Sequence, residues 1–115
     1  MADLRFVPTL SLSALRPGGM RPCTVEGREL LLCRVKDSLH AVDNICTHAF
    51  ARLHEGRLRG TRLTCPLHGA VFDVRDGHVL KGPATEPLPV HHVRVVADQV
   101  EVALEPSAPP APSEF

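Results

Sequence analysis

Two short loops, Cys46-Thr47-His48 and Cys65-Pro66-Leu67-His68-Gly69, decide how the rest of this chain is read. Sixteen residues separate His48 from Cys65, and each loop offers one thiolate and one imidazole. Four such donors suit tetrahedral Zn²⁺, or a two-iron sulfide cluster in which imidazoles replace thiolates on one iron. A zinc finger groups Cys with Cys and His with His, the His pair usually on a helix. Here both loops are mixed, and Gly69 with the β-branched residues around it opposes a helix through His68. A bimetallic centre suits mixed loops, since each can send its sulfur to one iron and its ring to the other. Two buried thiols and two solvated rings are the bland alternative, and they leave the matching composition of the loops unexplained.

Cys-x-His, sixteen residues, then Cys-Pro-x-His-Gly resembles the signature of Rieske 2Fe–2S proteins, over roughly residues 4–104. The resemblance implies one 2Fe–2S cluster, with Cys46 and Cys65 on the inner iron and His48 and His68 on the outer, ring edges at the surface. It also implies an all-β fold: a Rieske-type antiparallel β-sandwich base of two small sheets, with an inserted cluster-binding β lobe. On this reading residues 1–105 are a single domain, the base about 1–42 and 84–105 and the lobe about 43–83.

The residues read independently agree with an all-β domain. At 115 residues the chain is one domain's worth. Leu4 to Val7 reads as a first strand, and Ser11 to Leu15 as one helical turn capped by Ser11 or Ser13 before Pro17-Gly18-Gly19. Met20 to Val25 and Glu29 to Val35 form a hairpin about Glu26-Gly27, and the unbroken Leu30-Leu31-Leu32-Cys33 marks a strand buried on both faces. Further strands follow at Leu39–Val42, Arg57–Arg59, Arg62–Thr64, Ala70–Val74, His78–Leu80, His91–Val96 and Gln99–Leu104, with a tight turn expected at Asp76-Gly77. The Pro/Ala-rich tail 106–115 carries too little apolar bulk to fold and is expected to be disordered.

Composition narrows the function. The formal charge is zero with histidine neutral, and the only aromatics are four Phe, so no nucleic-acid surface is indicated. No stretch approaches ~20 apolar residues, and the N-terminus lacks a signal peptide's apolar run, so a soluble, monomeric, cytoplasmic protein is expected. In a reducing compartment its thiols are free to bind metal. Cys23 and Cys33 do not fall opposite each other across their hairpin and read as buried structural thiols. His40, His54, His78, His91 and His92 read as solvated.

Around the ligand loops, Pro66 fixes the second loop, Gly69 is either a turn whose N–H groups face a sulfide or a plain turn glycine, and Pro83 either resembles the family's covering proline loop or is an ordinary linker proline. High-potential Rieske proteins of respiratory cytochrome bc complexes have an extra, disulfide-forming Cys in each loop, and Ser and Tyr hydroxyls directed at the cluster. Ala51, Leu67, Ala70 and Phe72 stand at those places here. Imidazole ligation raises the potential of such clusters to between about −150 and +300 mV, and without these donors the low end is expected.

The chain is thus similar to the ferredoxin components of bacterial aromatic-ring dioxygenase systems. That resemblance implies a one-electron carrier, not itself an enzyme, between a flavin-dependent NAD(P)H reductase and a terminal oxygenase. A small Rieske-like subunit of an assimilatory nitrite reductase is the second reading, and a zinc-stabilised interaction module the third. Arg52, Arg57, Arg59 and Arg62, against Glu55 alone, make the inter-loop segment basic. It is either a solvated face or a docking edge beside the histidines.

Overall fold

A computed structural model describes residues 3–111. In chain order the strands are β1 (Val7–Ser11), β2 (Met20–Val25), β3 (Arg28–Val35), β4 (Ser38–Asp43), β5 (Arg57–Arg59), β6 (Arg62–Thr64), β7 (Val71–Asp73), β8 (Val79–Lys81), β9 (Val90–Val96) and β10 (Gln99–Ala103). Two single-turn 3₁₀ helices, Leu12–Ala14 and Leu53–Glu55, complete the secondary structure of the described residues. The domain is all-β and every strand pairing is antiparallel.

Six strands run in the order β1-β10-β9-β4-β3-β2, and four in the order β5-β6-β7-β8. The larger sheet is two three-stranded halves. Two-residue turns at Glu26-Gly27, Lys36-Asp37 and Ala97-Asp98 close their hairpins. The halves are hydrogen-bonded to each other through β4 and β9, with Ala41 opposite His91 and Val42 opposite Val90. The smaller sheet is inserted between those same two strands.

The apolar run on β3 explains the layering. Side chains alternate across a strand, so neighbouring leucines serve opposite faces. Leu30 and Leu32 join Leu15, Val25, Ala41, Val100 and Val102 within the base. Leu31 and Cys33 face the other way, into a core shared with Cys46, Leu63, Cys65, Phe72 and Leu88. One strand therefore welds the base to the segment that carries both loops.

Several expectations shift. The first strand is Val7–Ser11 rather than Leu4–Val7; it lies at the sheet edge, where Pro8 is tolerated opposite Glu101. Ser11 takes the helix-cap position without a side-chain cap bond, and Ser13 Oγ donates to Asp98 instead. The turn after β7 is longer than two residues, because Asp73 accepts from the N–H and guanidinium of Arg75 and starts a loop that closes from Asp73 N–H to the His78 carbonyl. Cys23 is only half-buried, whereas Cys33 is wholly enclosed; burial pushes their thiols up to about 11 and about 12. Of the tail expected to be disordered, residues 106–111 are described and turn back over the base, where Arg28 donates to the Pro109 carbonyl over 2.6 Å; residues 112–115 lie outside the described residues.

His91 is the largest departure. Expected in solvent, it is buried with Asp43, whose carboxylate also receives two hydrogen bonds from Arg28. No helix among the described residues is long and apolar enough to cross a membrane.

Candidate metal centre

Both loops are built on one plan. The Cys46 N–H donates to the Ala51 carbonyl over 3.0 Å, and the Cys65 N–H to the Ala70 carbonyl over 2.7 Å. Each loop is therefore pinched shut five residues after its cysteine, with the histidine on the protruding arc. The first loop leaves β4 through Asn44, whose side-chain oxygen accepts the His54 N–H and whose amide meets His54 Nδ1. An Ile45–Arg52 bridge continues the pairing, and Thr47 Oγ1 donates to the Glu86 carbonyl. The second loop joins β6 directly to β7. His68 and Gly69 have φ of 69° and 74°, consecutive left-handed residues that reverse the chain. Glycine adopts that conformation freely; histidine pays about 1 kcal/mol or more, a strain typical of functional loops.

The loops converge. Cys46 and Cys65 are 4% and 2% exposed, inside the shared core, while His48 and His68 reach solvent. His48 Nε2 and His68 Nδ1 lie 3.1 Å apart, the rings edge-on with centroids 5.2 Å apart. Burial pushes the Cys65 thiol up to about 11; the Leu67 N–H on its sulfur opposes the rise and the neighbouring Cys46 adds to it. Left alone, that thiol stays protonated at neutral pH. A metal turns such thiols into thiolates, and the N–H of Leu67 is then a hydrogen bond to a charged sulfur. Two buried sulfurs beneath two wet imidazoles are a donor set that fits a two-iron cluster with unlike ends. The chemistry such a group supplies is the reversible uptake of one electron.

The surroundings match the reading in part. Ala70 and Phe72 are fully buried and offer no hydroxyl, Ala51 is half-buried, and Leu67 and Pro66 are exposed. Pro83 is exposed on a cis bond from Gly82, while its neighbour Ala84 packs into the core that holds both cysteines. Two glycines support this region through close backbone approach. A β-carbon on Gly56 would stand 2.0 Å from the Thr64 carbonyl, just before Cys65, and one on Gly77 would stand 1.9 Å from the Leu88 carbonyl. A groove of about 760 Å³ runs beside the first loop, between His48, Phe50, Pro87 and Pro109.

Residues 5–95 match the model of the Rieske [2Fe-2S] domain. The chain belongs to the Rieske family. This family membership implies one 2Fe–2S cluster. The Rieske chain is 37% identical over 100 residues to the ferredoxin component of the naphthalene 1,2-dioxygenase system of Pseudomonas putida, covering 83% of this chain and 96% of that one. A ferredoxin in a complex of reduced oxygenase and oxidised ferredoxin of carbazole 1,9a-dioxygenase superposes with a TM-score of 0.82 at 35% identity, covering 88% and 94% of the two chains. A Mycobacterium tuberculosis chain described as an NADH-dependent nitrite reductase small subunit follows at 25% identity and a TM-score of 0.77, covering 89% and 96%. The nearer relatives are electron-carrying components of dioxygenase systems and not catalytic chains themselves.

Proposed function

We propose that Cys46 and Cys65 hold the buried iron of the cluster and His48 and His68 the outer one, and that the protein passes single electrons to a terminal oxygenase. The observation that carries this reading is the pair of solvent-facing imidazoles, 3.1 Å apart, over two enclosed sulfurs. The rings offer a short exit for an electron. Greater identity to dioxygenase ferredoxins than to the nitrite reductase subunit favours the oxygenase partner.

The donor on this reading is an NAD(P)H-dependent flavin reductase. The oxidised centre, two ferric ions with two sulfides, two thiolates and two neutral rings, carries no net charge, so reduction adds a single negative charge. Buried Ala70 and Phe72 give that charge no hydroxyl to lean on, which keeps the potential low.

Anaerobically purified protein tests the proposal. Two irons and two acid-labile sulfides per chain, a visible absorbance and a Rieske EPR signal on reduction are expected. One zinc and no sulfide would overturn it. A stable complex with a large sirohaem chain, rather than transient turnover with an oxygenase, would move the assignment to the nitrite reductase reading.

A further inference from the structure

The β5–β6 hairpin carries three arginines on one side. Arg57 pairs with Thr64, Leu58 with Leu63 and Arg59 with Arg62. Alternation sends Leu63 into the core and leaves Arg57, Arg59 and Arg62 exposed on the opposite face. Arg59 and Arg62 stand directly opposite each other, an arrangement that disfavours the hairpin.

None of the three forms a hydrogen bond or ion pair with a carboxylate among the described residues, although Arg62 stands opposite Asp73 on β7, itself bonded to Arg75, and Glu55 lines the recess beside Arg57. Arg28 is bonded to Asp43, Arg52 to Glu29, Arg75 to Asp73 and Arg94 to Glu101, yet none of the three hairpin arginines has such a partner. Uncompensated like charge facing across a strand pair costs stability unless something else retains it. The position of the hairpin indicates what does. Arg62 lies three residues before Cys65, and Arg57 lines a recess with Cys65 and Pro66. The groove beside His48 is lined by Asp76, Glu86 and Glu105 together with the Arg28–Asp43 pair.

We infer that the face formed by Arg57, Arg59 and Arg62 docks an electron partner that is a protein with an acidic patch, and turns it so that its redox centre meets the His48/His68 edge. The inference rests on the electron-carrier reading above. Its energetic logic is steering: exposed charges add little to a static contact, but a local field of one sign raises encounter rates by about 10–10³-fold and loses that effect as salt rises.

The test uses cluster-loaded protein, with absorbance and EPR measured first. Failure to load a cluster in any preparation counts against the carrier reading itself and is seen before docking is measured. Reduced wild type, R57Q/R59Q/R62Q and the control R16Q/R21Q/K36Q, which removes the same charge from the base sheet, are then mixed by stopped flow with two acceptors. These are an acidic b-type cytochrome and the basic cytochrome c. Reduction of the acidic cytochrome at low ionic strength is expected to slow about tenfold in the hairpin variant and less than twofold in the control. The basic acceptor is expected to react no more slowly with the hairpin variant than with wild type. Equal rates in the two variants with intact EPR signals would overturn the docking surface and leave the carrier reading standing. Salt-resistant retention of duplex DNA by wild type, lost in the hairpin variant, would also overturn it by making the face a nucleic-acid site.

Discussion

His91 Nδ1 accepts the Glu105 N–H over 2.9 Å, which places the ring proton on Nε2, where it is donated to Asp43 Oδ1 over 2.8 Å. Arg28 grips the same carboxylate with two nitrogens and reaches Pro109 with a third. Asp43 thereby joins β3, β9 and the chain beyond β10 at the strand from which the first ligand loop departs.

Removing Asp43 strands a buried guanidinium and leaves His91 Nε2 without its acceptor. Asp43→Ala is expected to cost about 3–5 kcal/mol, as breaking one side of a buried ion pair does. Urea unfolding of the variant, followed by far-UV circular dichroism, measures it. A loss below about 1 kcal/mol would show that the network contributes little.

Acid should weaken the fold. Burial works against ionisation of Asp43, but the bonds from His91 and Arg28 outweigh it and hold the carboxyl below its ordinary value. The Arg75 guanidinium holds Asp73 lower still, at about 2. Folded values below unfolded ones mean that both contributions are complete above the ordinary value of 3.8 and are lost as pH falls through the folded values. Unfolding free energy is expected to fall as pH drops from about 4 towards 2, and less steeply in Asp73→Asn.

Cysteine replacement separates ligands from structural thiols. Cys46→Ser and Cys65→Ser should each yield protein without visible absorbance or sulfide. Cys23→Ser should keep the full spectrum. Cys33→Ser should keep it too but unfold at lower urea, since the serine hydroxyl would be buried beside Leu31 in the core. Retention of the cluster in Cys65→Ser would sink the assignment.

The potential is expected near the low end of the family window, about −150 mV. Phe72→Tyr and Ala70→Ser should raise it, because a hydroxyl donated to a cluster sulfur favours the more negative, reduced state. Redox titration of the two variants against wild type checks this, and an unchanged value in both would remove these positions from the tuning.

Close backbone approach predicts two sensitive glycines. Gly56→Ala drives a methyl into the Thr64 carbonyl and should cost roughly 1–3 kcal/mol, the usual penalty of overpacking. Because Thr64 leads directly into Cys65, the same variant should release iron faster to a chelator. Gly77→Ala meets the Leu88 carbonyl and adds left-handed strain at φ 81°. Its effect should fall on stability more than on iron retention.

The strands and loops were legible because their signals are local. Alternating residues, two-residue turns and an unbroken Leu-Leu-Leu-Cys run are short-range facts, and the mixed Cys/His loops are visible without any fold. What escaped depends on distant pairing. Nothing near His91 announces that Asp43, 48 positions earlier, will meet it in the interior. Gly56 and Gly77 look like ordinary turn residues until the carbonyls of Thr64 and Leu88 are brought against them. Edge position likewise moved the first strand: Pro8 argues against a strand until β10 supplies a partner that does not need its missing N–H.

The chain departs for the four-stranded sheet from the end of β4 and comes home at the start of β9, where the Asp43 N–H donates to the Pro89 carbonyl over 3.0 Å. Exit and entrance are thus one doorway. Length can therefore be added to the loops beyond it without moving the two strand ends apart, whereas any new redox head must still fit the Leu31 and Cys33 side chains that the mount presents to it.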